Sequence, residues 1–343
     1  MTYESAIVIG GGAFGTSMAS VLSDNFKKVY VLVRSQDVYD SIKNGENSVY
    51  LPGQKLSINI IPALSWEEIF KENSIANIQL IVNGLPTSAI HSFYTKNKSQ
   101  LESFFKLKIP LVSISKGIDP ETLEMSDDLF QENFPHFQDY ITYLSGPSFA
   151  KEIIDRQITI VALAGRLPDV LFDVCKKLGT DYFKCIPTYD IKGVLLSGAL
   201  KNILAIAGGI LEGLGFNHNT RAAMITRGIN EMLRFGKVYN ARPETFYSFA
   251  GMGDLILTTT SSLSRNKTFG VEVATSKLTP SEIIAAQRSV VEGYKTTQAA
   301  YSLAKKYKIK APLFDGVYKI LYEDTDPKDI LSSLMKMPIS TIE

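Results

Sequence analysis

Ala6-Ile7-Val8-Ile9-Gly10-Gly11-Gly12-Ala13-Phe14-Gly15 is the stretch whose reading decides the fold. Its first four residues are apolar and mostly β-branched, with no polar alternation. That is the pattern of a strand buried on both faces of a parallel sheet. Glycines end the strand at once. Phe14, Met18, Val21 and Leu22 then recur at i, i+4, i+7 and i+8, one face of a helix. The glycines Gly10, Gly12 and Gly15 therefore sit in a strand–turn–helix setting, where their spacing carries a physical meaning. The first allows the tight turn, the second lets backbone approach a pyrophosphate, and the third lets helix and strand pack closely. The N–H groups at the helix start then face the phosphate charge.

Working outward, residues 29–33 read as a second strand, and residues 80–82, 110–114, 141–144 and 159–163 as further ones. Strands alternating with helical stretches imply a Rossmann-type, doubly wound α/β sheet. The texture changes near Pro187. Residues 188–214 and 220–240 read as long helices, the first interrupted by small residues, and 281–287, 295–307 and 315–322 as shorter ones. We expect a dinucleotide-binding domain over residues 1–189 and an all-helical, substrate-binding domain over 190–343, with the site in the cleft where they meet.

A chain of 343 residues suits two domains. With 45% hydrophobic and 21% charged residues it is an ordinary globular composition, and extensive disorder is excluded. A net charge of +1 gives no field that would favour nucleic acid or an anionic membrane. Cys175 and Cys185 are the only cysteines, too few for a disulfide scaffold and consistent with a reducing compartment. His91, His136 and His218 show no ligand spacing, so no metal is expected. The N-terminus lacks a basic segment and cleavage site, and the apolar runs are broken by Gly, Lys or Asp. A cytoplasmic protein without a membrane span is the expectation.

The second strand ends in Val33-Arg34-Ser35-Gln36. A carboxylate there would bond the ribose 2′-hydroxyl of NAD; Arg34 instead suits a 2′-phosphate, so NADPH is the expected cofactor, with NADH as the lesser one. Lys116 follows a strand, as does Gly146-Pro147-Ser148-Phe149-Ala150, and carboxyl ends of such strands face the ligand. Lys201 and Asn202 interrupt an otherwise apolar helix. A buried ammonium is costly without a partner or a role, and burial lowers the pKa of a lysine so that it can act as a base. Asp254 stands in a glycine-rich turn, Gly251-Met252-Gly253-Asp254, suited to orient a lysine or a substrate hydroxyl. Ser264-Arg265-Asn266 has the donors of an anion clamp.

Taken jointly, these motifs resemble the bacterial-type NAD(P)-dependent glycerol-3-phosphate dehydrogenases. The matching stretches are residues 10–16, Tyr50-Leu51-Pro52-Gly53, residues 115–118, 145–152, 198–202, 250–255 and 264–266, and Val290-Val291-Glu292-Gly293-Tyr294. The resemblance implies a 6-phosphogluconate-dehydrogenase-like pairing of Rossmann and helical domains, and dihydroxyacetone phosphate and sn-glycerol 3-phosphate as the substrate pair. It implies that Lys201 exchanges a proton with the substrate oxygen, that Lys116 polarises that oxygen and touches the cofactor, and that Asp254 holds Lys201 and the substrate. Asn202, Ser264, Arg265 and Asn266 would bind the substrate and its phosphate, with Gly146 and Ser148 lining the site. Beside the three glycines, Ala13, Phe14, Arg34, Tyr50, Lys116, Ala150, Arg265, Val290 and Glu292 would contact the cofactor. A supply role in glycerophospholipid synthesis is a further implication. Separately from the resemblance, a homodimer built on the helical domain is our expectation.

One departure stands out. The strand near residue 80 ends Asn83-Gly84-Leu85-Pro86-Thr87, where the resemblance leads one to expect an apolar and then a small residue before the proline. Rival readings are a β-hydroxyacid or ketopantoate-type dehydrogenase, which would lack Ser264-Arg265-Asn266 after a Gly-Met-Gly-Asp turn, and a non-catalytic cofactor sensor, which would not need Lys116, Lys201 and Asp254 together.

Overall fold

The computed structural model describes residues 2–71, 73–287 and 291–336. The chain divides into two compact units, Met1–Lys116 with Glu124–Leu195, and Gly117–Leu123 with Leu196–Glu343.

The first unit runs β1 (Tyr3–Ile9), α1 (Ala13–Ser23), β2 (Phe26–Leu32), α2 (Gln36–Lys43), β3 (Glu46–Asn47), β4 (Leu51–Lys55), β5 (Ile60–Ala63), α3 (Trp66–Lys71), β6 (Ile78–Asn83), α4 (Thr87–Lys96), α5 (Lys98–Lys106), β7 (Leu111–Ser113), α6 (Ser126–Asn133), β8 (Ile141–Ser145), α7 (Ala150–Ile154), β9 (Thr159–Ala164), α8 (Pro168–Leu178) and β10 (Phe183–Thr188). Eight strands form one sheet in the order β10-β9-β8-β7-β6-β1-β2-β5, and β3 and β4 form a separate hairpin. Central β1 pairs in parallel with β2 and β6, placing Ile9 beside Leu32 and Asn83. Ala6, Val8, Val31, Val82 and Val112 are buried in one core with Met18, Val21 and Leu22 of α1. That packing is the reason the first strand reads as uninterrupted hydrophobic sequence.

The Rossmann-type sheet stands, with one difference: β9 runs antiparallel to β8. The chain between them holds only the five-residue α7, whereas the eleven-residue α8 returns β10 parallel to β9. Besides the β3–β4 hairpin, two strands of the main sheet, β5 and β10, lie outside the strands expected from sequence. Both contain a proline and both are edge strands, where a missing N–H costs no ladder bond. Because β1, β2, β6, β7 and β8 are parallel, the segments after them all leave from one edge of the sheet. Gly10, Arg34, Gly84, Lys116 and Gly146 belong to those segments.

After β10 the described residues contain no strand. α9 (Ile191–Gly213) and α10 (His218–Val238) are the long helices. They are followed by α11 (Pro243–Phe246), α12 (Asp254–Thr260), α13 (Arg265–Thr275), α14 (Pro280–Ala286), α15 (Glu292–Tyr307), α16 (Pro312–Tyr322) and α17 (Pro327–Met335). α9 is long and apolar enough to cross a membrane, but its apolar window is entirely buried within the protein. Its small residues are where α13 comes close. A Cβ on Gly209 would lie 2.0 Å from the Lys267 carbonyl oxygen, and one on Gly270 2.2 Å from that of Ile206. The two helices thus pack backbone to backbone.

Candidate active site: a dinucleotide turn and a buried lysine cluster

In the first unit, the glycine turn has the geometry its spacing implies. Gly10 has φ +102°, a conformation that side-chain-bearing residues rarely adopt. A Cβ on Gly15 would sit 2.1 Å from the Gly10 oxygen, so α1 can lie against β1 only with glycine there. A Cβ on Gly12 would meet nothing within 4 Å. Gly12 is the N-cap of α1, so the N–H groups of Ala13, Phe14 and Gly15 begin the helix without intrahelical partners. Open space at a helix N-terminus with a bare backbone fits a pyrophosphate.

The turn is braced by a residue that sequence reasoning missed. Asn47 is fully buried. Its Nδ2 donates to the Gly11 carbonyl at 2.9 Å and to Thr16 Oγ1 at 2.8 Å. Its Oδ1 accepts from the Tyr50 N–H at 3.3 Å. Tyr50, itself half exposed, is thereby tied to the glycine turn. Arg34 is exposed beyond the end of β2, and Ser35 beside it caps α2. Ala150 opens α7.

Lys116 Nζ donates to the Gly146 carbonyl at 3.1 Å and stands 5.5 Å from the Phe14 ring centroid. Ser148 Oγ donates to the same carbonyl at 2.8 Å. Gly146 is sterically required, since a Cβ there would fall 2.8 Å from Val161 Cα. The first unit therefore gathers Gly10, Gly12, Ala13, Phe14, Gly15, Lys116, Gly146 and Ser148 around the carboxyl edge of the sheet.

In the second unit, Lys201 and Asp254 meet. Lys201 Nζ donates to Asp254 Oδ1 at 2.5 Å and to Thr258 Oγ1 at 2.8 Å, with the residues 7% and 1% exposed. Thr258 Oγ1 in turn donates to the Asp254 carbonyl at 2.6 Å. The glycines before Asp254 form a single π-helical turn, Phe249–Gly253, that runs directly into α12. A Cβ on Gly251 would lie 2.1 Å from the Phe246 oxygen, so glycine is needed to aim Asp254 inward. Such π turns recur at functional sites. Ser197, one turn before Lys201, is also buried, with no hydrogen-bond partner for its hydroxyl among the described residues.

Next to this cluster, Asn266 Nδ2 donates to Asn202 Oδ1 at 3.0 Å, and Asn266 Oδ1 accepts from the Gly293 N–H at 3.0 Å. This joins α9, α13 and the start of α15, whose first residue is Glu292. Arg265 is exposed as the first residue of α13. Ser264 is 3% exposed, and its Oγ caps α13 by accepting from the Lys267 N–H at 3.3 Å. Its hydroxyl thus has a structural task within the anion-clamp segment. Val290 lies outside the described residues. Among the described residues no group of three or more His, Cys, Asp or Glu is placed to hold a metal ion.

A Rossmann sheet with a bare helix-start turn, paired in one chain with a buried lysine–carboxylate cluster on an all-helical unit, defines a nicotinamide-dependent oxidoreductase. The chain's similarity to known proteins narrows the class. Residues 5–170 match the N-terminal model, and residues 190–332 the C-terminal model, of NAD-dependent glycerol-3-phosphate dehydrogenase. The chain is 38% identical over 330 residues to a glycerol-3-phosphate dehydrogenase [NAD(P)+] of Leptospira biflexa, covering 96% of each. It is 37% identical to the protein of that name from Citrifermentans bemidjiense, covering 97% of each. The solved glycerol-3-phosphate dehydrogenase (gpsA) of Coxiella burnetii superposes with a TM-score of 0.88 at 30% identity, covering 98% of this chain and 99% of that one. The chain belongs to the NAD-dependent glycerol-3-phosphate dehydrogenase family.

Proposed function

We propose that the protein interconverts dihydroxyacetone phosphate and sn-glycerol 3-phosphate, with NADPH preferred over NADH, and that it supplies glycerophospholipid synthesis in the cytoplasm. The observation that carries this reading is the buried Lys201–Asp254–Thr258 cluster, set beside Asn202, Asn266 and the N-terminus of α13. A proton-exchanging group and an anion-binding helix start on neighbouring elements suit a substrate that is both an alcohol and a phosphate ester. We assign dinucleotide binding to residues 1–189 and substrate binding to residues 190–343.

When bound at the glycine turn, the reduced nicotinamide supplies the hydride. Lys201 gives its proton to the carbonyl oxygen as that oxygen becomes a hydroxyl, and takes it back in the oxidation direction. Asp254 holds the Lys201 ammonium in one direction, and Thr258 fixes a second of its protons. Lys116 brings positive charge to the same oxygen. The α13 amides, Asn266 and the Arg265 guanidinium hold the phosphate, and that remote binding energy orients the reacting carbon. Gly146 and Ser148 line the substrate. Phe14, Arg34, Tyr50, Ala150, Val290 and Glu292 would hold the dinucleotide, with Arg34 suited to its 2′-phosphate. The unlinked Cys175 and Cys185 support a reducing compartment.

The test is NADPH oxidation followed by absorbance. Dihydroxyacetone phosphate should be reduced and ketopantoate or a β-keto acid should not. Turnover with a keto acid and none with dihydroxyacetone phosphate would overturn the substrate assignment.

A further inference from the structure

We propose that Asn83, the residue at which this chain departs from the expected pattern, is a positioning residue that aligns Lys116 with the dinucleotide turn. The proposal rests on the function proposed for Lys116. Asn83 is the last residue of β6 and is fully buried. Its Nδ2 donates to Ser115 Oγ at 2.9 Å and to Ser113 Oγ at 3.1 Å. Ser115 Oγ donates onward to the Leu85 carbonyl at 2.6 Å, and the Leu85 N–H returns to Asn83 Oδ1 at 3.4 Å. Asn83, Ser115 and Leu85 thus close a ring of hydrogen bonds that ties the chain after β6 to the chain after β7.

Both ends of this ring reach functional groups. Ser115 is the residue before Lys116, so fixing its hydroxyl fixes the backbone from which Lys116 departs toward Gly146 and Phe14. On the other side, the Gly84 N–H donates to the Ile9 carbonyl at 2.8 Å. A Cβ on Gly10 would lie 3.1 Å from the Gly84 oxygen and 3.3 Å from Leu85 Cδ2. The segment after β6 therefore packs directly against the glycine turn. An apolar residue at position 83 would leave the buried hydroxyls of Ser113 and Ser115 without this donor, and Ser115 free to turn. In this chain a single amide sets the two loops relative to each other, and buried polar rings of this kind rigidify when every member is satisfied.

The experiment is a double-mutant cycle between positions 83 and 116, with kcat, KM and NADPH affinity by nicotinamide fluorescence measured for each protein. Asn83→Ala should lower kcat about tenfold and weaken NADPH severalfold in the Lys116 enzyme, but change both by less than twofold in the Lys116→Ala background. A general loosening of the unit would act equally in both backgrounds. Asn83→Asp, which keeps an acceptor for Leu85 but loses the donor to Ser115, should reproduce the kcat loss. Equal factors in the two backgrounds, or an Asn83→Ala enzyme like the wild type, would overturn the proposal. If the wild type does not reduce dihydroxyacetone phosphate, the substrate reading fails separately. The NADPH-affinity arm of the cycle then decides the role of Asn83 by the same rule.

Discussion

Replacing Lys201 by Met strands the Asp254 carboxylate, and replacing Asp254 by Leu strands the Lys201 ammonium. The pair is nearly inaccessible to water, 7% and 1% exposed. Each charge would lose its charged partner while keeping the neutral Thr258 hydroxyl. Removing one partner of a buried pair costs roughly 3–5 kcal/mol, whereas replacing both by apolar residues of similar volume is often near neutral. We expect each single variant to lose about 3 kcal/mol, toward the low end because Thr258 remains, and the double variant Lys201→Met/Asp254→Leu to lose about 1 kcal/mol. Stability is read from urea midpoints at constant slope, and turnover of dihydroxyacetone phosphate from NADPH absorbance in the same preparations. Stability should return in the double variant while kcat stays roughly a hundredfold or more below wild type in all three. A double variant as unstable as the sum of the singles would refute the view that the two charges exist for each other. Turnover surviving in any Lys201→Met protein would remove Lys201 from proton exchange.

Gly12→Ala, with open space around its Cβ, should fold normally yet raise the KM for NADPH about tenfold, while Gly15→Ala, 2.1 Å from the Gly10 oxygen, should lose both stability and binding; equal thermal stability of the two would contradict the steric reading. Arg34→Ala should raise the KM for NADPH about tenfold with NADH kinetics unchanged, and a parallel loss with both cofactors would detach Arg34 from the 2′-phosphate. Arg265→Ala should act mainly on the KM for dihydroxyacetone phosphate, and an unchanged KM would argue against phosphate contact. Glu231 is fully buried and accepts the Leu313 and Phe314 N–H groups at the start of α16, and burial pushes its carboxyl from 4.5 up to about 7. A raised folded-state pKa gives stability that is complete below about pH 4.5 and is lost as pH rises through about 7, amounting to about 3 kcal/mol. Urea midpoints across that range should therefore fall for the wild type relative to Glu231→Gln, and parallel curves would show that Glu231 folds already ionised.

The glycine turn was legible in sequence because its constraints are local: Gly10, Gly12 and Gly15 act on atoms within a few residues. Lys201 stood out for a different reason, as a charged residue in an otherwise apolar helix, and Asp254 as a carboxylate in a glycine-rich turn. Asn47 and Thr258 were not legible, and Asn83 stood out only as a departure with no role attached, because their work lies in bonds to Gly11, Lys201 and Ser115, partners 32 to 57 residues away. A lone polar residue in a strand, turn or short helix gives no sign of such a partner. The small α12 and α13 were likewise missed, since each is short and begins at a residue, Asp254 or Arg265, more conspicuous for its chemistry than for helix formation. β10 escaped notice because its outward positions carry Lys184 and Ile186 beside Pro187, a pattern only an edge strand tolerates.

The backbone contact between α9 and α13 limits how these two helices can move. α9 carries Lys201 and α13 begins at Arg265, and the carbonyls facing Gly209 and Gly270 already leave no room for a methyl group. The helices can be forced apart but cannot move closer. The pair works as a gauge with a fixed lower stop. The lower limit on the spacing of these two helices is therefore written into the absence of two side chains.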